Sequence, residues 1–203
     1  MNKAMLLIAL FTLPLAHAAN RLESIQTQWA ECQYRVADSE REDCLKTLSI
    51  KADLASGANP DRTDLLIWSA IVKSTWAGAR GGLGALPLVK DARSRLEKAL
   101  TMDDRALDGS AYTSLGSLYY QVPGWPVGFG DDDKAEQLLR RALTINPDGI
   151  DSNFFYGDFM LDQGHRAEAR RYLEKALQAP ARPGRELADA GRRKEIEARL
   201  GRL

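Results

Sequence analysis

The chain has 203 residues, and its 28 basic and 28 acidic side chains cancel to a formal net charge of zero. No overall field therefore draws it to nucleic acid or to anionic lipid. Beyond residue 18 it has one histidine, His165, and neither a Glu-x-x-His pair nor a second histidine to activate a serine or cysteine, which argues against metal-dependent and triad hydrolases.

Residues 1–18 read as a cleavable export leader. Lys3 supplies the positive start, residues 5–15 form an apolar stretch broken by Pro14, and Ala16-His17-Ala18 fits a small-x-small cleavage pattern. The stretch is too short to span a bilayer, which needs roughly 20 apolar residues. The sequence thus predicts a mature chain from Ala19, periplasmic or secreted, with no stable membrane insertion.

Residues 19–61 are expected to form a helical hairpin. One helix carries Ile25, Trp29, Cys32 and Val36, the other Leu45, Leu48 and Leu54, and Ala37-Asp38-Ser39 makes the turn. Cys32 and Cys44 lie equally far from residue 38, so they face each other if the helices pair. An even cysteine count in an exported chain favours a disulfide, and two free buried thiols remain the alternative. Without C-x-x-C spacing, redox catalysis is not indicated.

Residues 62–180 repeat. Leu96-Glu97-Lys98-Ala99-Leu100 returns as Leu139-Arg140-Arg141-Ala142-Leu143 and as Leu173-Glu174-Lys175-Ala176-Leu177. Leu139 and Leu173 are 34 residues apart, and Leu96 and Leu139 are 43 apart, the same period with an insertion. A helical phrase at this period marks a helix-turn-helix solenoid, divided here as 62–104, 105–147 and 148–180. In the third unit, Asn146-Pro147-Asp148-Gly149 opens a helix over 150–162 and Gly164 ends it. A second helix runs over 166–178, before Pro180 and Pro183. Gly157, Ala169 and Ala176 are small where two helices must cross, and Leu173 fills the gap between them.

These positions resemble the tetratricopeptide repeat. Gly157, Ala169, Leu173 and Ala176 match its pattern in the third unit. Tyr112, Leu115, Gly116, Tyr119, Ala135, Leu139, Ala142 and Pro147 match in the second. Trp68, Ile71, Ala92, Leu96 and Ala99 match in the first, with Val72 in place of glycine. The resemblance implies an all-α solenoid of about three repeats that binds other molecules rather than transforming them. It also implies an inner groove lined by the first helix of each pair. By register this gives Leu66, Ser69, Lys73 and Trp76, then Ser110, Thr113, Ser117 and Tyr120, then Asp151, Phe154, Asp158, Leu161 and Asp162. Such a lining suits a basic or apolar partner.

Two insertions separate paired helices. The step from Gly116 to Ala135 is 19 residues against 12 from Gly157 to Ala169, so residues 121–133 form a long loop; residues 78–87 show a comparable excess. Insertions in solenoids map to one face, often the binding face. The style of these loops resembles the periplasmic T component of tripartite ATP-independent periplasmic transporters. That resemblance implies a transporter's substrate-binding subunit as partner, or an enclosed apolar ligand. Trp125 and Phe129, with Tyr119 and Tyr120 ahead of them, either form an apolar binding site or fold back to plug the gap beside a neighbouring helix.

Other clusters have plain structural readings. Asp131, Asp132 and Asp133 precede a helix and cap its free N–H groups. Gly81-Gly82-Leu83-Gly84 lacks the Lys-Ser/Thr of a phosphate cradle. Asp151 and Asp158, seven apart on one helix face, read as solvated rather than as an acid–base couple. Residues 181–203 are expected to form a capping helix, with Ile196, Leu200 and Leu203 on the third repeat and Arg192-Arg193-Lys194 in solvent. The sequence therefore predicts a non-catalytic interaction module without cofactor or metal. It would bind another periplasmic protein through the groove and the 121–133 loop, using Lys73, Trp76, Tyr120, Trp125, Phe129, Asp151, Phe154 and Asp158. The alternative is a carrier or transporter accessory sequestering an apolar ligand, and the sequence leaves self-association open.

Overall fold

The computed structural model describes the backbone of residues 13–203 and side chains from residue 21 onward. Among the described residues the regular structure is entirely helical: α1 (Leu13–Tyr34), α2 (Asp38–Gly57), α3 (Thr63–Arg80), a 3-10 turn (Leu83–Ala85), α4 (Leu86–Met102), α5 (Ala106–Gln121), α6 (Asp132–Ile145), α7 (Ile150–Asp162), α8 (Arg166–Leu177) and α9 (Glu186–Leu200). The expected leader lies mostly outside the described residues. Only the backbone of residues 13–18 is seen, as the first turns of α1.

The recurring phrase is the seam of the fold. Leu96 and Ala99, Leu139 and Ala142, and Leu173 and Ala176 are all fully buried, each pair on the second helix of a hairpin. The facing helix gives way where these leucines arrive. A Cβ added to Gly116 would lie 2.7 Å from Leu139 Cγ, and one added to Gly157 would lie 2.9 Å from Leu173 Cγ. The pairs α5–α6 and α7–α8 therefore cross more closely than a side chain at either glycine would allow. Each buried leucine contributes about 1.5–3 kcal/mol against exposure.

The turn before α7 illustrates how polar backbone is satisfied inside this seam. Asn153 is fully buried, and its Nδ2 donates to the carbonyls of Pro147 and Gly149, both at 2.8 Å. The Ser152 hydroxyl donates to Asn146 O at 2.6 Å. The turn carbonyls of Asn146 and Pro147, which precede the helix, thus find donors in its first turn, and Gly149 O accepts both the Asn153 backbone N–H and its side-chain amide.

Cys32 and Cys44 are joined, with Cα atoms 5.6 Å apart, and the hairpin α1–α2 packs on α3. Trp29 anchors that contact. Its ring meets Trp68 edge-on at 5.7 Å, and its Nε1 donates to Thr75 Oγ1 at 2.9 Å.

The two insertions turn out differently. In repeat one, α3 continues through Gly78 to Arg80, and the chain turns at Gly81 and Gly82, both at positive φ. After the 3-10 turn, α4 starts at Leu86 with Pro87 in its first turn. The apparent loop is mostly helix, because Trp76-Ala77-Gly78-Ala79-Arg80 contains nothing that stops one. In repeat two, Pro123 and Pro126 forbid that solution and residues 122–131 stay irregular. The first helix of that repeat also begins late. Leu107, Asp108 and Gly109 sit at φ 50°, 54° and 76°, so the right-handed helix starts at Ser110.

The two ends of the row meet. Helix α9 packs on α7 and α8 through Ile196, in a cluster with Ile150, Phe154, Leu173 and Ala176. It also packs on α1, where Gly191 gives room to the Tyr34 ring. Leu187 and Ala188 join Ile25, Trp29, Leu65 and Trp68 in one apolar cluster.

Candidate interaction surface

The 121–133 segment is a built loop. Val122 is buried, Gly130 N donates to Pro123 O at 3.0 Å, and Asp131 N donates to Tyr119 O at 2.9 Å, which closes the base of the loop. A side chain on Gly130 would run into Val122 O, so the closure needs glycine there. Asp131 then caps α6, its carboxylate accepting from Lys134 N at 3.0 Å. Within the loop, Val127 N and Gly128 N both donate to Gly124 O, and the Trp125–Pro126 peptide is cis.

The loop aromatics part company. Phe129 folds back: its ring lies 5.4 Å from Tyr119, edge-on, with the Arg93 guanidinium 4.5 Å from its centroid. Lys134 covers Tyr119 in the same way at 4.6 Å. Trp125 points out, 90% exposed, with Val127 two residues on at 49%. One aromatic is thus the plug, and the other is free.

The groove residues lie mostly under cover, which differs from an open lining. Lys73 is 6% exposed and holds two carboxylates, Asp53 at 2.7 Å and Asp91 at 2.5 Å. Trp76 is half-buried against the α1–α3 cluster. Tyr120 donates its hydroxyl to Asp158 at 3.0 Å and accepts from Gln121 Nε2. Burial, and then the Asp158 charge, push its phenol well above the usual tyrosine range, which favours the protonated hydroxyl that donates to Asp158. Phe154 is 3% exposed under the Arg192 guanidinium, 4.3 Å from the ring centroid. Leu66, Ser69 and Thr113 are also buried, and Asp162 is exposed.

Asp151 and Asp158 correct the reading of a solvated acidic face. Asp151 accepts from Arg182 at 2.7 Å and from Arg192 at 2.9 Å, and Asp158 accepts from Arg199 at 2.5 Å. Burial alone would raise the Asp151 pKa, but the charges of Arg192 and Arg182 outweigh it and hold the carboxyl at about 2. Arg192 is itself only 8% exposed, which corrects its assignment to solvent. Burial disfavours its charge, but Asp151 more than compensates, and its pKa moves upward. Arg193 likewise turns inward and donates to Leu177 O and Ala179 O at the end of α8. The solvated reading fails for Arg192 and Arg193 because those carbonyls and Asp151 stand within reach of the buried side of α9, and it holds for Lys194, which is exposed.

The arginines of α9 are what sequence reasoning missed. A signal existed: Asp151 and Asp158 are seven apart, and so are Arg192 and Arg199. Two helices running parallel align such pairs in register. His165, at the turn before α8, is exposed. Among the described residues, no group of three His, Cys, Asp or Glu could hold a metal, and no helix is long and apolar enough to cross a membrane.

The family model of the tetratricopeptide repeat matches residues 128–190, from the end of the loop into α9. A thermophilic TPR protein of Thermus thermophilus superposes with a TM-score of 0.60 at 22% identity, covering 91% of this chain and 89% of that one. MamA aligns at a TM-score of 0.46 and 18% identity over 83% of this chain and 92% of that one. PilF of Pseudomonas aeruginosa aligns at 0.37 and 14% over 91% and 90%. No curated protein matches the chain in sequence.

Proposed function

We propose that this chain, a helical solenoid whose residues 128–190 match the tetratricopeptide repeat, is a non-catalytic module that binds another protein outside the cytosol. The observation that carries the reading is Trp125, 90% exposed on a loop whose base is closed by two backbone hydrogen bonds and a half-buried Phe129. An aromatic held out on a pre-formed support loses little freedom on binding, and tryptophan is among the residues that dominate interface energetics. Val127 extends the apolar tip. Export is supported by the leader-like residues 1–18 and by the Cys32–Cys44 bridge, a bond that persists in oxidising compartments. A transporter's substrate-binding subunit is one partner of this kind.

The carrier reading draws less support. The cleft of about 370 Å³ between α1 and α9 is lined by Gln33, Arg41, Lys194 and Glu195 as well as Tyr34 and Leu187, a mixed lining unlike that of an apolar ligand site.

The test is crosslinking in the native organism, comparing the unmodified chain with Trp125→Ser/Val127→Ser. Both side chains stand in solvent, so the double variant should keep its melting temperature while losing its specific crosslinked partner. Retention of every partner by the double variant would sink the proposal.

A further inference from the structure

We infer that the cleft between α1, α2 and α9 is a binding site for a small aliphatic carboxylate, with Arg41 and Lys194 as its anion-binding pair. This goes beyond the loop-tip reading and stands on different residues. The cleft measures about 370 Å³, near the lower end of the range of about 300–1,000 Å³ for ligand sites, so it suits a small molecule and not a peptide. Its lining includes none of the residues that the repeat register assigns to the inner face. The mixed character that makes it a poor home for an apolar ligand is what a short molecule with one charged end requires.

The two cations of the cleft are under-used. Arg41 donates through Nη2 to Asp38 at 2.5 Å, but the Asp38 side chain is 90% exposed, so water competes for that pair. Arg41 Nε is buried without an acceptor, where a buried donor is normally satisfied. Lys194 is exposed on the rim and has no ion-pair partner among the described residues. Glu195, the acid in the lining, is turned to Arg192 at 2.5 Å and leaves both cations to a ligand. Leu187, Ala190, Lys194 and Ala198 recur at helical spacing, which sets apolar contact and charge on one side of α9. The Tyr34 ring packs against Gly191, where an added Cβ would come within 2.4 Å of it. The Cys32–Cys44 bridge joins the two helices that carry Gln33 and Arg41, so that wall is fixed before a ligand arrives. A carboxylate held between guanidinium and ammonium groups gains charge-assisted hydrogen bonds from both, while its hydrocarbon part lies along the alanines.

Chemical-shift titration of the purified protein with isocaproate, its uncharged amide and inorganic phosphate tests this. Isocaproate should move the amides of residues 33–41 and 187–198 and saturate with a Kd of about 1 mM or below in roughly 0.1 M salt. The amide lacks the charge and phosphate lacks the hydrocarbon, so each should bind at least about tenfold more weakly. Arg41→Gln/Lys194→Gln should weaken isocaproate at least about tenfold, whereas Lys98→Gln, which removes an exposed charge on α4, should leave its affinity unchanged. If the double variant does not fold, the comparison of acid, amide and phosphate decides alone. No saturation by about 10 mM, shifts scattered outside the cleft, equal binding of acid and amide or of acid and phosphate, or full affinity in a folded double variant overturns the proposal. None of these outcomes bears on the Trp125 crosslinking result.

Discussion

Two glycines in this chain look alike in sequence and behave oppositely in the fold. Gly116 faces Leu139, and an added methyl would also stand 3.3 Å from Ala135 O, so Gly116→Ala should cost about 1–3 kcal/mol by overpacking. Gly78 lies in α3 with open space around it, and Gly78→Ala should stabilise by about 0.5–1 kcal/mol through helix propensity alone. Urea denaturation of both variants checks the pair, and destabilisation by both would mean the helix crossing is not what distinguishes them. Gly116 was legible beforehand because it falls in register with Gly157 and opposite a recurring leucine. Trp125 and Phe129 were not separable in this way. Both are aromatic and four residues apart, and only the closing of the loop onto Tyr119, with Arg93 arriving from another helix, decides which one is covered.

Helix α9 shows what an element adds to its residues. The sequence places Ile196 on the third repeat, and the structure agrees, but its charged side could not be read from composition. Arginines on a terminal helix usually face water, and here Arg192 is buried because Asp151 meets it. Asp151→Asn should destabilise by about 3 kcal/mol, the low end for a buried pair because a third of the carboxylate side chain is open. The pH dependence follows from the same pair. The folded carboxyl titrates at about 2, below its unfolded value near 3.9, so its contribution is complete above that unfolded value and is lost as pH falls toward 2. Thermal melts should therefore show a gap between the unmodified chain and Asp151→Asn that is wide near pH 7 and narrows at about pH 2.5. A gap independent of pH would remove the ion pair as its cause.

At the scale of the whole molecule, the stapled hairpin and α9 turn a row of repeats into a closed arrangement in which the first and last helices touch. The Cys32–Cys44 bridge joins residues 12 apart, and a loop of that size contributes about 3 kcal/mol by restricting the unfolded chain. Replacing both cysteines by alanine should lower the melting temperature on the order of 10 °C; calorimetry with and without reductant checks it, since reductant should then have no effect on the variant. The sequence by itself determined the helical class, the hairpin pairs, their crossing points and the cap on α6, because each follows from local period, small residues and chain-breaking residues that act within one or two turns. Only the tertiary structure decided that the inner face is covered, that Lys73 and Asp151 are held by their own chain's charges, and that Trp125 rather than Phe129 stands free. Those outcomes depend on which distant side chains arrive at a surface, and a charge or a ring carries no mark of its neighbour until the chain has closed around it.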